Sequence, residues 1–271
     1  MSKDNIPQTI YHYTTQEGLL GILNEKALWA TKIHYLNDAS ELTEPLRIAT
    51  GALNQYLSVL QKDDKKRDII LGLVDEIRVS EGQNIHVASF CTEGDLLSQW
   101  RAYGSFGSAY SIGFNFERLQ QHISTYPFEL RRCEYYKQSK YQKYIEKYIN
   151  TVVEKSFSEG SSPEDFIENL VNIVATMKLM CFKEEAEWRI ISPRPIHSTD
   201  ERYNFRASDS IIIPYYSLPL DFSLIDEIIV GPCPHPDLSR DTIFGLSHQY
   251  GITNISQYGE VRNSAIPYRA I

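Results

Sequence analysis

The chain has 271 residues, 42% hydrophobic and 23% charged, an ordinary balance for a folded protein long enough to bury a sizeable core. Its formal net charge of −8 argues against a surface coated by nucleic acid but leaves room for a local basic groove. No run of about 18 apolar residues exists to span a membrane. The opening MSKDNIPQTI lacks the apolar core of a signal peptide, and the scattered Cys91, Cys133, Cys181 and Cys233 form no disulfide framework, so a cytoplasmic location is expected.

No internal repeat or Pro/Gly/Ser linker interrupts the chain, so a single domain over 1–271 is expected, with helical insertions near 45–82 and 138–182. Residues 8–13 read as a strand. A capping-box pattern from Thr14 to Glu17 opens a helix whose apolar face is Leu19, Leu20, Ile22, Leu23 and Ala27. ALWAT is a short extended piece, and Asn37-Asp38 marks a turn or helix start before Glu41. After the first insertion come a strand IHVASFC, a loop TEGDLLSQWRAYGSFG, a strand SAYSIGFNF, a short helix from Glu117 and a strand FELRRCEYY. The second insertion breaks near SEGSSPED. EAEWRIIS, SIIIPYY, IDEIIVG and ITNIS then read as strands, with a helix around 238–250. Strands in two blocks with helices between them indicate an α+β fold rather than a doubly wound sheet.

Three stretches carry candidate chemistry. In EEAEWRII, strand alternation sends Glu185, Glu187 and Arg189 to one wall and Ala186, Trp188 and Ile190 into the core. That wall is either a solvated Arg–Glu ladder or an oriented carboxylate able to stabilise an oxocarbenium-like centre. His12, between Tyr11 and Tyr13, precedes a helix whose free N–H groups suit a polar ligand. SFCTEGDLLSQWRAYG gathers Ser89, Ser98, Gln99, Trp100, Arg101 and Tyr103, either a ligand wall or a core anchor with a polar surface. Cys91 reads as a buried small hydrophobe rather than a nucleophile. Cys233 and His235 lack a second zinc-spaced pair, no phosphate-binding glycine motif or nucleophile elbow is present, and no metal is expected. The lysines 140, 143 and 147 beside Tyr141, Tyr144 and Tyr148 make either a docking face for a helix or a nucleic-acid contact.

Taken together, YHYTT…LLGIL…ALWAT…YLNDASE, SFC…DLLSQWRAYG…SIGF, FKEEAEWRII and SAIPYR resemble the bacterial domain-of-unknown-function 2971 family from Tyr11 to Arg269. The His-x-Thr strand end and the following LxxIL helix are similar, more distantly, to the first motif of ADP-ribosyltransferases. That resemblance implies split mixed or antiparallel sheets, with NAD as substrate and a protein or nucleic-acid acceptor in a toxin or phage-defence setting. It implies His12 as ribose ligand, with Tyr13 and Thr14 beside it, and Glu187 as the catalytic carboxylate. Glu185 is implied as the first Glu of an E-x-E pair, and Ser89 as the middle-strand hydroxyl. Trp100 and Arg101 would line the cofactor pocket, and Tyr103 and Tyr110 compete as the stacking ring. Asn37, Asp38 and Glu41 are placed at the cleft rim. A nucleic-acid-binding protein and an inactive interaction module are the competing readings.

Overall fold

The computed structural model describes residues 6–36, 40–62, 64–81, 84–103, 109–163, 165–208, 210–252 and 260–267. The first strand, β1 (Thr9–Thr15), pairs antiparallel with β4 (Ala109–Asn115). Beyond β4 lie β11 (Ile225–Val230), antiparallel, and β12 (Glu260–Asn263), parallel at the far edge. A second, antiparallel sheet comprises β2 (Ala27–Lys32), β3 (His86–Phe90), β5 (Glu129–Arg132), β8 (Trp188–Ile191), β9 (Tyr203–Ala207) and β10 (Ile212–Pro219). Its order is β5-β8-β3-β2-β10-β9. A small parallel pair joins β6 (Glu134–Tyr136) to β7 (Met177–Leu179). The fold is α+β with separate antiparallel and mixed sheets, as the strand blocks indicated.

Helix α1 (Gln16–Glu25) starts where the Thr15 hydroxyl accepts a hydrogen bond from the Gly18 N–H at 3.1 Å. The cap is therefore Thr15 and not Thr14, and the third helical position is a glycine, so the reciprocal half of the capping box is missing. Gly18 is required: a Cβ there would lie 2.0 Å from the Thr14 hydroxyl, which is buried beneath the helix. Leu19, Ile22 and Leu23 of α1 join Ile10, Phe90, Phe114, Ile190 and Ile228 in the core between the sheets.

A second core belongs to the helices. The first insertion is a pair, α2 (Ser40–Val59) and α3 (Lys65–Glu81). The next helices, α4 (Leu97–Tyr103) and α5 (Phe116–Ile123), flank β4, and the second insertion contains α6 (Gln138–Glu159) and α7 (Phe166–Thr176). Leu53, Ile70, Leu73, Ile145, Leu170 and Val174 of α2, α3, α6 and α7 pack over Val87 and Ile191, covering one face of the second sheet. Burying each such side chain contributes roughly 1.5–3 kcal/mol. Tyr141 and Ile145 are buried and Tyr148 packs beside them, while Lys140, Lys143 and Lys147 are exposed. Tyr141, Ile145 and Tyr148 thus dock the helix, while Tyr144 is exposed beside the lysines.

Several boundaries differ from the sequence expectation. α4 lies inside the stretch read as a loop, and FELRRCEYY is two strands broken at Cys133. The helical pattern of 138–182 ends in β7 and a 3-10 turn (Met180–Glu185). β9 and β12 were not anticipated, the helix near 238–250 is α8 (Pro236–Gln249), and most of ITNIS lies outside the described residues. No helix among the described residues is long and apolar enough to cross a membrane.

His86, first in β3, is fully buried edge-on to Tyr203, ring centroids 5.3 Å apart. Burial, helped by the Lys32 charge and opposed by the Asn84 backbone, lowers its pKa to about 4. The unfolded chain then binds more protons than the native one between about pH 4 and the ordinary histidine value near 6.5. The neutral ring's contribution is present above that window and is lost as pH falls through it, at most about 3 kcal/mol. Urea denaturation of wild type is expected to weaken from pH 7 to pH 4, and His86→Phe is expected to flatten the slope.

Candidate active site at the divergence of the sheets

β3 changes neighbour along its length. At its start it pairs with β2, through Thr31↔Val87 and Lys32↔His86. Just past its end, Cys91 and Tyr11 exchange two backbone hydrogen bonds of 2.8 Å, so β1 has taken the place of β2. Between these points β1 and β2 diverge, and a gap opens beside Ser89.

The His12 ring enters that gap. Its Nδ1 lies 2.9 Å from the Ser89 carbonyl oxygen, and its ring centroid lies 5.6 Å from that of Phe90. Burial lowers its pKa, the Ser89 carbonyl opposes this, and the Arg206 charge adds to the lowering. A carbonyl only accepts, so the neutral ring carries its proton on Nδ1. Nε2 is then an acceptor, with no hydrogen bond among the described residues.

Strand register defines one face around the gap. Arg206 is opposite Ile213, Tyr215 opposite Thr31, Thr31 opposite Val87, and Ser89 opposite Arg189. Paired residues and residues two apart share a face. Arg206, Tyr215, Trp29, Thr31, Ser89, Cys91, Arg189 and Glu187 therefore project from the same side of the second sheet. The helices cover the Val87–Ile191 part of that side. On β1, Tyr11 and Tyr13 go with Cys91, whereas His12 leaves with Ile10 and reaches Ser89 only because β1 has left the sheet.

The wall around Glu187 is built differently from the expectation. Glu185 ends the 3-10 turn, Ala186 has a left-handed backbone (φ 41°), and the strand begins at Trp188. Glu187 and Arg189 do share a side: Arg189 donates from Nε to Oε1 at 2.7 Å and from Nη2 to Oε2 at 3.1 Å. Lys178 on β7 donates to Glu187 Oε2 at 2.7 Å and to Glu185 Oε2 at 2.5 Å. Arg189 also donates to the Ala175 carbonyl at 2.8 Å, and the Tyr135 hydroxyl accepts from the Glu187 N–H at 2.7 Å. Side-chain exposure is 6% for Lys178, 4% for Glu187 and 3% for Arg189, against 25% for Glu185. The solvated-ladder expectation is thus replaced by a buried cluster of two cations and two carboxylates. Burial pushes the Glu187 pKa up, but Arg189 and Lys178 outweigh it and hold the group well below the usual carboxylate range.

Tyr103, at the end of α4, stacks on Tyr13 with centroids 6.4 Å apart and planes at 28°. Burial first, then the charge of Glu187, raises its pKa to about 12. Tyr13 donates to the Glu93 carbonyl at 2.8 Å and accepts from the Leu96 N–H at 2.9 Å. Cys91 sits in the same cluster, where burial and Glu187 push its thiol up, so it is no thiolate nucleophile.

The remaining expected site residues divide clearly. Trp100 is buried, packs edge-on to Tyr13 at 4.8 Å and donates to Asp95 at 2.7 Å, so it anchors α4. Arg101 is exposed, and Thr14 lies beneath α1. Tyr110 belongs to the core between the sheets, whereas Tyr103 lies within reach of the Glu187 charge. Asn37 and Asp38 lie outside the described residues, as does the side chain of Glu41 on α2. Lys178 was missed, although a lone lysine inside VATMKLM was a legible signal. Trp29, Arg206 and Tyr215 carried no signal beyond their residue types. Among the described residues no group of three or more His, Cys, Asp or Glu could hold a metal ion.

The family described as "Protein of unknown function (DUF2971)" matches residues 99–190, the segment from α4 to Ile190. The resemblance seen in the motifs holds over that segment. Two solved structures are similar to the chain at 12% identity and a TM-score of 0.36: Thermus sp. 2.9 DarT in complex with NAD+, and the same protein in complex with ADP-ribosylated ssDNA. Each comparison covers 95% of this chain, and 95% and 94% of the respective relative. A likeness of that strength fixes no residue's role. No curated protein matches the sequence.

Removing one member of a buried ion cluster leaves its partners uncompensated, at a cost of about 3–5 kcal/mol. Glu187→Ala is accordingly expected to lower unfolding stability by that order, measured by urea denaturation at pH 7. The difference from wild type should shrink below about pH 4, where the carboxylate of the unfolded chain protonates.

Proposed function

We propose that the gap between the sheets binds NAD and that the chain is an ADP-ribosyltransferase-like enzyme, transferring ADP-ribose or hydrolysing NAD. The observation that carries this reading is His12: a neutral imidazole, its proton committed to Ser89, presenting a lone pair where a ribose hydroxyl can donate to it. The motif resemblance assigns the same residue to the same task. In this reading Tyr103 stacks on the nicotinamide, and the Ser89 hydroxyl lies on the face the ligand occupies.

Glu187 acts on the scissile end. The C–N bond to nicotinamide breaks with its electron pair leaving on nicotinamide, and positive charge develops on the ribose. A carboxylate kept ionised by Lys178 and Arg189 stabilises that cation. Water or an acceptor nucleophile then closes on the ribose carbon and loses a proton to solvent or to Glu185. Transfer to a nucleic acid or protein in a toxin or defence setting is the finer form of the proposal.

A second reading has its own observation. Both Glu187 oxygens are engaged by Arg189 and Lys178, as in a structural cluster of a module that binds without catalysis. Nicotinamide release from NAD separates the two. Wild type is expected to release nicotinamide, Tyr103→Ala to lose about tenfold in kcat/KM, and Tyr103→Phe to retain activity. A folded Glu187→Gln is expected to fall by about a hundredfold or more. No release by wild type, with or without cell extract as a source of acceptor, overturns the enzymatic reading.

A further inference from the structure

Arg206 is a cation without a counter-charge among the described residues. Among the described residues no carboxylate lies within ion-pairing distance of it, although it is half-buried. Its Nε is buried with no hydrogen-bond partner, and Nη2 makes only a long contact of 3.4 Å to the Thr31 hydroxyl. The guanidinium stands over the Trp29 indole, 5.7 Å from the ring centroid. Glu25, the carboxylate in this corner, accepts instead from Trp29 Nε1 at 2.8 Å, from the Tyr215 hydroxyl at 3.2 Å and from the Ser217 hydroxyl at 3.1 Å. Desolvating a cation while leaving one of its N–H groups unpaired is costly, and such groups concentrate where a ligand supplies the missing partner.

The position of Arg206 names the ligand chemistry. It projects from the same side of the second sheet as Glu187, four strands away, a backbone span of roughly 19 Å. Its field also reaches His12, in the gap between those two points. With Nη2 making only the long contact to Thr31, the Nη edge of the guanidinium suits the paired oxygens of a phosphate.

We propose that Arg206, held by Trp29 and Thr31, is the diphosphate subsite of the dinucleotide site. This rests on the reading of the gap as an NAD site and adds the contact that holds the middle of the ligand. The anion meets the Nη edge and neutralises the guanidinium charge that the described residues leave unanswered. His12 then receives the ribose hydroxyl next to that diphosphate.

The test is calorimetric titration of wild type, Arg206→Ala and Arg206→Lys with NAD, ADP-ribose, nicotinamide riboside and a single-stranded oligonucleotide. Arg206→Ala is expected to weaken NAD and ADP-ribose about tenfold or more and to leave nicotinamide riboside unchanged. Arg206→Lys is expected to recover part of the loss, and added salt to weaken wild type more than the alanine variant. Equal losses for the riboside and for ADP-ribose would make Arg206 structural and overturn the subsite. So would unchanged ADP-ribose binding, or a loss confined to the oligonucleotide. ADP-ribose binding that depends on Arg206 in a wild type releasing no nicotinamide supports the subsite and rejects the enzyme. Turnover with unchanged KM in Arg206→Ala rejects the subsite and keeps the enzyme. A wild type that binds none of the four ligands overturns both.

Discussion

One strand cannot keep two neighbours on the same edge, and β3 is asked to do so. It gives its first residues to β2 and its end to β1, through the paired hydrogen bonds of Tyr11 and Cys91. The two sheets must therefore diverge, and the backbone groups between those points lose a strand partner. The Ser89 carbonyl finds a replacement in the His12 ring. A buried carbonyl needs a donor, and meeting that need also fixes the tautomer of the histidine. The contact that satisfies the Ser89 carbonyl is thus the one that leaves Nε2 as the acceptor.

The charge cluster behind the gap follows from the same architecture. The helices of the two insertions cover the Val87–Ile191 side of the second sheet, so a charged residue on that side of β8 must be paired or be very costly. Lys178 and Arg189 answer Glu187, and the turn at Ala186 brings Glu185 to the exposed rim of the cluster. The cluster ties β7, the 3-10 turn and β8 together with no net charge. Arg206 stands at the other end of the same sheet with no such answer among the described residues. The same face thus carries a paired charge cluster at β8 and a lone guanidinium at β9.

Much of the scaffold was legible because it rests on local pattern. The β1–α1–β2 unit, β4 and β11 show clear alternation or helical spacing, and the two-block arrangement of strands implied α+β. Errors fell where tertiary pairing decides. FELRRCEYY is uniform in pattern, yet Cys133 bonds to the Glu187 carbonyl and breaks it in two. EEAEWRII alternates as a strand should, but a left-handed Ala186 starts the strand three residues late. Burial of the Glu187 wall was invisible too, since the helices that cover it come from residues 40–81 and 138–176. The hold on Trp100 was also invisible, since Asp95, tied to the distant Ser264, captures its indole N–H. Arg206 was silent because its partners, Trp29 and Thr31, are more than 170 residues away in sequence.

The central claim is that His12 is a neutral, Nδ1-protonated acceptor at the mouth of an NAD site. Nitrogen-15 NMR of histidine-labelled protein tests it directly. A neutral Nδ1–H tautomer is expected at pH 7, with a shift of the His12 Nε2 resonance on saturation with NAD. An imidazolium at neutral pH, an Nε2–H tautomer, or an Nε2 resonance that ignores saturating NAD would contradict it.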